Sequence, residues 1–417
     1  MERLGNGRGS NSAQLRRYNE RLVLQRLRRA GEASKADLAR AADLTNTAIG
    51  AIIEKLVELG LIEAVGKRHA GGRGQPATML RTKADGAYGI GVRLDRRSME
   101  TILIDFGGRV LARRDYDMVL PAPEEALAIV LRDVDELLAT LDPQARTRFA
   151  GIGVAHPYNL GAWLGRLGLP PSTFERWDSV DFPARLEEET GLPVFGENDG
   201  SAAAIAELFY GVGREADDFL YLFVGPAIGG GIVTGGDCLH GSHGNAADVA
   251  VLPVAPSRLA SAPPAADGRE LLITRASLNA LARHLALHGV PSAGGAALEA
   301  AVRSGNPAVG EWLEDMVDAL SPAVWSAIAL LDVPLVVVDS DIDGGLVDAV
   351  LARLAAALER DKPEARRPPR LLHGSFGRNA GAIGAASLPM FFNFSPRASI
   401  LTRADGERGV RDLVAEA

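Results

Sequence analysis

Cysteine is almost absent from this sequence, in which Cys238 is the only one among 417 residues. One thiol cannot close a disulfide within the chain, and a structural thiolate zinc site needs several. We therefore expect neither an internal disulfide nor a thiolate metal site. A core must hold the chain together, and a hydrophobic content of 47% is ample for one.

Long apolar runs are missing as well. No stretch reaches the roughly 18 apolar residues that a bilayer-crossing helix needs, so we predict no membrane span. The first ten residues lack the apolar core of a secretory signal. Together with the scarcity of cysteine, these absences favour a cytoplasmic protein. The length of 417 residues predicts two or three domains.

Positive charge is scarce outside the N-terminal part of the chain. Residues 1–83 hold 16 basic and 8 acidic side chains, a net charge of +8, whereas the remainder has 29 basic and 45 acidic ones, a net charge of −16. Residues 1–13 have few apolar side chains and are predicted to be a disordered arm. Residues 14–83 are thus the part expected to meet a polyanion.

The basic segment 14–83 has the order of secondary-structure elements that is typical of a winged helix-turn-helix. After a first helix, a Ser34–Asp37 capping box begins a short second helix. Thr45 caps a third helix, which Gly60 ends. Segments 61–65 and 77–80 are predicted to pair as two strands around a basic loop. This order predicts a DNA-binding domain over residues 14–83.

The third helix of such a domain enters the major groove with its N-terminal residues leading. Hydroxyl and amide side chains there can reach base edges or phosphates, and basic side chains near them can contact phosphates. The predicted DNA-contacting residues are Lys35, Thr45, Asn46, Thr47, Lys55, Arg68 and Arg73. The alternative is a helical interaction module with a solvated charged face.

A polar cluster in the middle of the chain predicts a ligand pocket. A short apolar strand over 192–195 leads to Glu197, Asn198 and Asp199, and an alanine-rich helix follows at once. Polar side chains at a strand end are typical of ligand sites in α/β proteins, and a carboxylate beside an amide suits paired hydroxyls. Further on, Gly229–Gly231 is predicted to form a turn between two strands, where the backbone can approach a ligand closely.

These two stretches, with Leu239–Asp248 after them, resemble the ROK family of sugar-responsive repressors and sugar kinases. The resemblance extends from about Arg16 to about Pro389 and is most specific over 192–248. Within the family, the N-terminal domain points to regulators such as the repressors of N-acetylglucosamine and xylose type.

The resemblance implies an α/β body of two lobes with the duplicated, ribonuclease H-like fold of actin and hexokinase. The first lobe would span 84–198, joined by a C-terminal helix at about 376–395. The second lobe, 199–375, would hold the ligand cleft and the dimer interface. Residues 396–417 would be a charged, frayed tail.

The chain departs from the kinase pattern of the family at several places. The phosphate-binding turn corresponds to Arg93–Met99, which has no glycine. Arg96 and Arg97 in this turn are interpreted as solvated, the alternative being contact with a phosphate. The position of the zinc-ligating histidine holds Val251. Asp339 and Asp341 replace glycines of the adenosine region, where two carboxylates would repel a triphosphate. We therefore expect a protein that is not an enzyme and has no cofactor or metal.

The ligand site implied by the resemblance is altered but not lost. Asp199 matches the general base of the kinases and is interpreted as a ligand-binding residue, the alternative being a helix N-cap alone. Asp248 replaces a glutamate, and His243 could replace a missing histidine or be an exposed turn residue. The predicted ligand-binding residues are Asn198, Asp199, Gly229, Gly230, His243 and Asp248.

Together these patterns predict a DNA-binding transcriptional repressor that responds to a sugar or a sugar derivative. We expect it to be a dimer or tetramer bound to a pseudo-palindromic operator on double-stranded DNA. Three alternatives remain open from the sequence. They are a sugar kinase with an accessory DNA-binding domain, a regulator whose pocket is vestigial, and a scaffold that binds no DNA.

Overall fold

The structure is a computed structural model that describes residues 12–68, 76–161, 164, 170–177, 179–264 and 268–402. Helix α1 begins at Ser12, so the last two residues of the predicted N-terminal arm are helical rather than disordered. The rest of that arm and Arg73 lie outside the described residues.

The N-terminal elements form a winged helix-turn-helix, called the head below, as predicted. The capping box of Ser34 and Asp37 is present at the start of the second helix, and the Thr45 hydroxyl caps the third. A short strand that the sequence analysis missed pairs with the wing, giving a sheet of order β1-β3-β2. The elements are α1 (Ser12–Ala30), β1 (Glu32–Ser34), α2 (Lys35–Ala42), α3 (Asn46–Glu58), β2 (Ile62–Arg68) and β3 (Ala77–Thr82).

The first lobe is a five-stranded sheet that opens with three strands, two helices and a fourth strand. Its strand order is β6-β5-β4-β7-β8, in which β4, β7 and β8 run parallel and β5 and β6 antiparallel to their neighbours. The elements are β4 (Tyr88–Asp95), β5 (Ser98–Asp105), β6 (Val110–Asp117), α4 (Pro123–Ala139), α5 (Pro143–Arg146), β7 (Phe149–His156), α6 (Phe182–Thr190) and β8 (Val194–Asn198).

The second lobe repeats this sheet, which confirms the predicted duplication. Its order is β11-β10-β9-β14-β15, again with three antiparallel strands followed by two parallel ones. The elements are α7 (Asp199–Phe209), β9 (Phe219–Val224), β10 (Ile228–Thr234), β11 (Asp237–Cys238), β12 (Pro253–Val254), β13 (Glu270–Leu271), α8 (Leu278–Leu287), α9 (Gly295–Arg303), α10 (Pro307–Leu331), β14 (Leu335–Ser340), α11 (Leu346–Arg360) and β15 (Arg370–His373).

Two buried helices join the lobes. Helix α12 (Ala380–Phe394) packs on α7 and on β4 and β7 of the first lobe, while α7 also packs on β10 of the second. Small residues allow these close contacts, since α7 contains one glycine, one serine and four alanines, and all its residues from Gly200 to Phe209 are buried. Within the described part of the chain, no helix combines the length and apolarity needed to cross a membrane.

The prediction of a frayed tail is wrong for residues 396–402. Arg397 is buried, lies over the rings of Phe391 and Phe392, and donates from Nε to Asp237 Oδ1 at 3.2 Å. The short helix α13 (Ser399–Thr402) then packs on α1 of the head. An aromatic platform and a carboxylate hold this arginine, a pairing that local composition does not reveal. Residues 403–417 lie outside the described residues.

Candidate functional site

A cavity of about 750 Å³ opens between the two lobes and is called the cleft below. Both lobes contribute polar side chains to it, and the wall on the side of the second lobe is partly apolar. The polar lining includes Arg93, Asp95, Arg96, Asp117 and Asn159 from the first lobe, and Asn198, Asp199, Asn245, Asp248, Asn279 and Asp341 from the second lobe and the junction.

Asn198 and Asp199 lie together in the cleft, where β8 ends and α7 begins. The Asn198 Oδ1 accepts hydrogen bonds from the backbone N–H groups of Gly200 at 2.9 Å and Ser201 at 3.4 Å, so Asn198 is the N-cap. Asp199 is the first helical residue, and its Oδ1 accepts from the Gly200 N–H at 2.8 Å. The alternative in which Asp199 is the cap is therefore wrong.

The Asp199 carboxylate shares the cleft with Asp95, Arg93 and Arg96. Burial raises the pKa of the Asp199 carboxyl, and the nearby Asp95 carboxylate raises it further, whereas Arg93 lowers it. Burial also raises the pKa of Asp341, against the opposing effect of Arg93. Several carboxylates thus face two buried guanidinium groups, which makes this end of the cleft a poor place for a further anion.

The two arginines at the turn between β4 and β5 have different environments. Arg96 is buried and donates to the carbonyl oxygens of Leu160 at 3.1 Å and Asn159 at 2.9 Å, so the prediction that it is solvated is wrong. Arg97 is exposed, as predicted. The guanidinium of Arg96 ties the turn to the loop after β7, which the sequence could not indicate because 63 residues separate the bonded groups.

Arg93, at the end of β4, is also buried. Its guanidinium pairs with Asp95 at 3.1 Å and with Glu100 at 3.2 Å. Burial alone would lower the pKa of this group, but the surrounding carboxylates, Asp95 first, raise it. The guanidinium is therefore a fixed positive charge that already has carboxylate partners.

The predicted glycine turn at Gly229–Gly231 is wrong, because these residues lie inside β10. The bend between the strands falls at 225–227, where the Gly225 N–H bonds to the Ala227 carbonyl at 3.1 Å. Gly231 lets helix α7 approach the strand, since a Cβ on it would lie 2.5 Å from the Ala204 Cβ of α7. Gly229 and Gly230 nevertheless line the cleft, and a Cβ on Gly229 would meet nothing within 4 Å.

Asp248 lies in the cleft, whereas His243 does not. The Asn245 amide donates to Asp248 Oδ2 at 3.2 Å, so an amide and a carboxylate are paired here as well. His243 is exposed and lines a neighbouring hollow of about 300 Å³ with Tyr158 and Asn245. Asn245 lines the cleft and was missed by the sequence analysis. Its position three residues before Asp248 could have indicated an amide close to that carboxylate.

The two carboxylates that replace glycines at the end of β14, Asp339 within the strand and Asp341 directly after it, differ in position. Asp339 is fully buried and accepts from the backbone N–H groups of Gly377 and Ser340, each at 3.0 Å. Asp339 does not line the cleft, so the expectation that both carboxylates face a ligand is wrong. Asp341 does line it. Glu197, from the predicted polar cluster, instead pairs with His240 at 2.9 Å.

The N-terminal end of α3 presents exposed polar side chains in the head. Thr45, Asn46 and Thr47 are all exposed, although the Thr45 Oγ1 also accepts from the Ala48 N–H at 3.2 Å. Lys35 is exposed beside α3, and its ammonium occupies the space over Gly50, where a Cβ would lie 2.6 Å from Nζ.

The predicted basic contacts are only partly available. Arg68 is exposed at the end of β2. Lys55 instead binds both carboxylate oxygens of the buried Glu20 at 3.0 Å, which ties α3 to α1. Its ammonium therefore already has a partner within the head, so the prediction that it faces DNA is not supported by its position.

With this geometry in view, comparisons with known proteins identify the family. A model of the ROK family matches residues 89–390, and a model described as a winged helix DNA-binding domain matches residues 17–74. The chain belongs to the ROK family. It combines the body of that family with an N-terminal winged helix, the arrangement of its transcriptional repressors.

Two relatives illustrate the range of similarity. The uncharacterized protein y4fQ of Sinorhizobium fredii is 29% identical over 383 residues, which cover 90% of this chain and 91% of that protein. The DNA-binding transcriptional repressor Mlc of Escherichia coli is 24% identical over 236 residues, or 57% of this chain and 59% of the repressor. The alignment to Mlc therefore spans less than two thirds of either protein.

Solved structures show the same fold. A ROK family transcriptional regulator, described as a homologue of the E. coli MLC protein, has a TM-score of 0.65 and 24% identity over 90% of this chain and 96% of its own. A ROK family glucokinase from Streptomyces griseus, in complex with glucose and AMPPNP, has a TM-score of 0.56 and 23% identity over 72% of this chain and 99% of its own. Regulators and kinases of the family thus share this body.

Proposed function

We propose that the protein is a transcriptional repressor whose head binds operator DNA and whose cleft binds a sugar or a sugar derivative. The observation that carries the proposal is the physical junction of the two parts. A winged helix with an exposed polar edge is docked, through α1, on the same helix, α7, whose other end lines the cleft.

The composition of the cleft supports a polyhydroxyl ligand. Asp199 and Asp248 can accept hydrogen bonds from hydroxyl groups, and the amides of Asn198 and Asn245 carry both donors and acceptors. Each carboxylate has an amide side chain close by, and each such pair can serve two vicinal hydroxyls. A cavity of about 750 Å³ has ample room for a monosaccharide or a larger derivative.

Helix α7 supports a route from the cleft to the head. It starts at Asp199 and ends at Phe209, a length of about 16 Å at the rise of an α-helix. The guanidinium of Arg28, on α1, lies 3.2 Å from the centroid of the Phe209 ring, and Arg29 pairs with Asp217 in the connection from α7 to β9. A ligand that draws the lobes together would shift α7 relative to its neighbours. This shift would change the contact between α7 and α1, and with it the orientation of the head.

The environment of the cleft argues against phosphoryl transfer. The kinase reaction depends on positioning and on neutralising phosphate charge. Here the turn after β4 lacks glycine, and the guanidinium groups of Arg93 and Arg96 already have carboxylate or carbonyl partners. Asp95 and Asp341 add negative charge to the same region. Asp199 is therefore proposed to bind the ligand without acting as a general base.

The repressor is proposed to act as a symmetric dimer or tetramer in the cytoplasm. Two heads related by a two-fold axis would contact half-sites of a pseudo-palindromic operator, about 10 base pairs or a multiple of that apart. Release would follow when ligand binding changes the spacing of the heads. Exposed Thr45, Asn46 and Thr47 are proposed to read bases, and Lys35 and Arg68 to contact phosphates.

The experiment that tests this proposal is footprinting of the protein on its host DNA, followed by release of bound fragments with hexoses, pentoses and N-acetylhexosamines. Occupancy of a few palindromes, with release by one sugar, is the expected result. Specific binding that no sugar reverses would support a vestigial pocket or a different effector. Absence of specific binding would overturn the repressor proposal and favour the scaffold alternative.

A sugar kinase with an accessory DNA-binding head is the second candidate. The position of Asp199 in a cleft between two lobes of the kinase fold favours it. This candidate predicts that the γ-phosphoryl group of ATP is transferred to a sugar hydroxyl, giving ADP and a sugar phosphate, and that Asp199→Ala abolishes this turnover. No turnover with any sugar of the same panel is the result that the repressor proposal predicts.

A further inference from the structure

Outside the cleft, two histidines and a glutamate meet between α8 and α10. His284 lies near the end of α8, His288 directly follows that helix, and Glu311 lies in the second turn of α10. The histidines are four residues apart, so they are neighbours on one face of the helix. The nearest ring nitrogens and carboxylate oxygen of the three side chains all lie within 4.8 Å of one another.

The distances among these atoms match those around a small metal ion. The Glu311 Oε2 lies 3.2 Å from His284 Nε2 and 3.5 Å from His288 Nε2. Ligand atoms about 2.1 Å from a tetrahedral zinc ion are separated from one another by about 3.4 Å. Only small movements of the exposed side chains are therefore needed to surround an ion.

A hydrogen bond fixes the orientation of the buried histidine. His284 is 2% exposed, and its Nδ1 lies 2.9 Å from the hydroxyl oxygen of Ser261. With the proton on Nδ1 donated to that oxygen, the lone pair of Nε2 points toward Glu311, as metal ligation requires. Arg283 in turn holds the Ser261 segment, since its Nε donates to the Ser261 carbonyl at 2.6 Å.

We propose that His284, His288 and Glu311 bind a divalent first-row metal ion, with zinc the best match to two imidazoles and a carboxylate. Three protein ligands leave a fourth position, and the exposure of His288 and Glu311 leaves that position open to water. This site is separate from the DNA and sugar sites of the proposed function and requires no thiolate, and it departs from the expectation, drawn from the sequence, that the protein has no metal.

A metal ion here would fix one wall of the cleft. The opposite side of α8 contributes Leu278, Asn279 and Ala282 to the lining of the cleft. An ion that joins α8 to α10 would restrict movement of this wall relative to the rest of the second lobe. Metal binding is therefore expected to raise the melting temperature of the protein.

The test is equilibrium dialysis of the untagged full-length protein against zinc chloride at neutral pH. One zinc ion per chain is expected for the wild type. His288→Ala and Glu311→Gln, which change exposed side chains, should each weaken zinc binding at least about tenfold while the circular dichroism spectrum stays unchanged. His373→Ala, which removes an exposed histidine at the end of β15, is the matched control and should bind zinc as the wild type does.

Two further measurements separate a metal site from a simple ion pair of histidine and glutamate. Ser261→Ala should weaken zinc binding about 10- to 100-fold, because the ring of His284 loses the partner that orients it. Zinc should raise the melting temperature of the wild type and not that of Glu311→Gln. Equal zinc binding by the wild type and by the His288→Ala and Glu311→Gln variants would overturn the proposal, whatever the DNA experiments show.

Discussion

At the residue scale, Asp199 has the properties of a functional side chain that reduces stability. It lines the cleft, and its carboxyl has a pKa raised by burial and by the neighbouring Asp95. A carboxyl whose pKa is higher in the folded than in the unfolded chain makes the folded state less stable at neutral pH. That penalty is absent below the usual pKa range of aspartate, where both states are protonated.

We therefore expect Asp199→Asn to raise the melting temperature at neutral pH while it weakens sugar binding at least tenfold. The loss follows from the removal of a charged hydrogen-bond acceptor, which contributes about 1.5–3 kcal/mol. Thermal unfolding with and without the sugar that releases DNA measures both effects. The stability difference should shrink as the pH falls, and sugar affinity of the wild type should fall over the same range.

Asp135→Asn is the matched control for that experiment. Asp135 is exposed on α4, so the substitution should alter neither sugar binding nor the pH dependence. Unchanged sugar affinity in Asp199→Asn would remove this residue from the ligand site and leave its carboxylate without a binding role.

At the scale of elements, α12 packs so closely on β4 and β7 that only glycine fits at some positions. A Cβ on Gly153, in β7, would lie 1.8 Å from the carbonyl oxygen of Ala385 in α12. That atom belongs to the backbone of a buried helix, so neither it nor the strand can move aside cheaply. The identity of this residue is set by the contact between two elements, not by the strand itself.

Gly153→Ala should lower the free energy of unfolding by about 2 kcal/mol or more, because overpacking forces the helix and the sheet apart. Gly310→Ala is the matched control, since a Cβ there would meet nothing within 4 Å and the residue lies at the end of the first turn of α10. It should raise stability by about 0.5–1 kcal/mol through helix propensity. Denaturant unfolding of both variants measures the contrast, and equal effects would contradict the packing argument.

The contact between α1 and the end of α7 is the second feature at this scale. Arg29 on α1 donates to Asp217 with Nη1 at 3.1 Å from Oδ2, next to the stacking of Arg28 on Phe209. If this contact transmits the effect of the sugar to the head, its removal should leave DNA binding and sugar binding unchanged. The effect of the sugar on DNA affinity should become weaker.

A double-mutant cycle of Arg29→Ala, Asp217→Ala and the combined variant tests the coupling. We expect each single variant to lower the effect of the sugar on DNA affinity several-fold, and the combined variant to add little further loss. The measurement is DNA affinity with and without saturating sugar. Full release of DNA by sugar in the combined variant would show that the signal takes another path.

At the scale of the whole molecule, charge separates the part that meets DNA from the part that does not. Residues 1–83 carry a net charge of +8 and the remainder −16, so an acidic body would repel DNA everywhere except at the head. We expect distinct roles for the exposed polar edge of α3 and for Lys67, which is exposed in the wing next to Arg68. Base contacts specify a sequence, and phosphate contacts supply affinity that depends on salt.

Asn46→Ala should cost about 1–3 kcal/mol of operator affinity and relax the preference at one base position. Lys67→Ala should weaken binding to all sequences alike and reduce the salt slope by about 1. Mobility shifts over a range of salt concentrations distinguish the two. Lys362→Ala, at an exposed lysine of the second lobe, should change neither property, and an effect as large as that of Lys67→Ala would argue against head-directed binding.

The sequence by itself determined most of the elements of the head and their order, because those signals come from residues a few positions apart. The capping box of Ser34 and Asp37 and the hydroxyl cap of Thr45 predicted two helix starts, and the resemblance to the ROK family implied the duplicated sheets. The polar residues around Asn198 and Asp199 predicted the cleft, since a strand that ends in such residues before a helix places them at a sheet edge.

Only the tertiary structure decided what many individual residues do, because their partners are distant in sequence. Lys55 bonds to Glu20, 35 residues away, and Arg21 donates to the Phe392 carbonyl, 371 residues away. The sequence also did not reveal that Gly229–Gly231 lie inside β10. Gly231 is a glycine because α7 packs too closely on the strand for a side chain there, and this contact is between distant elements. Such contacts depend on how elements pack, and no local pattern records that.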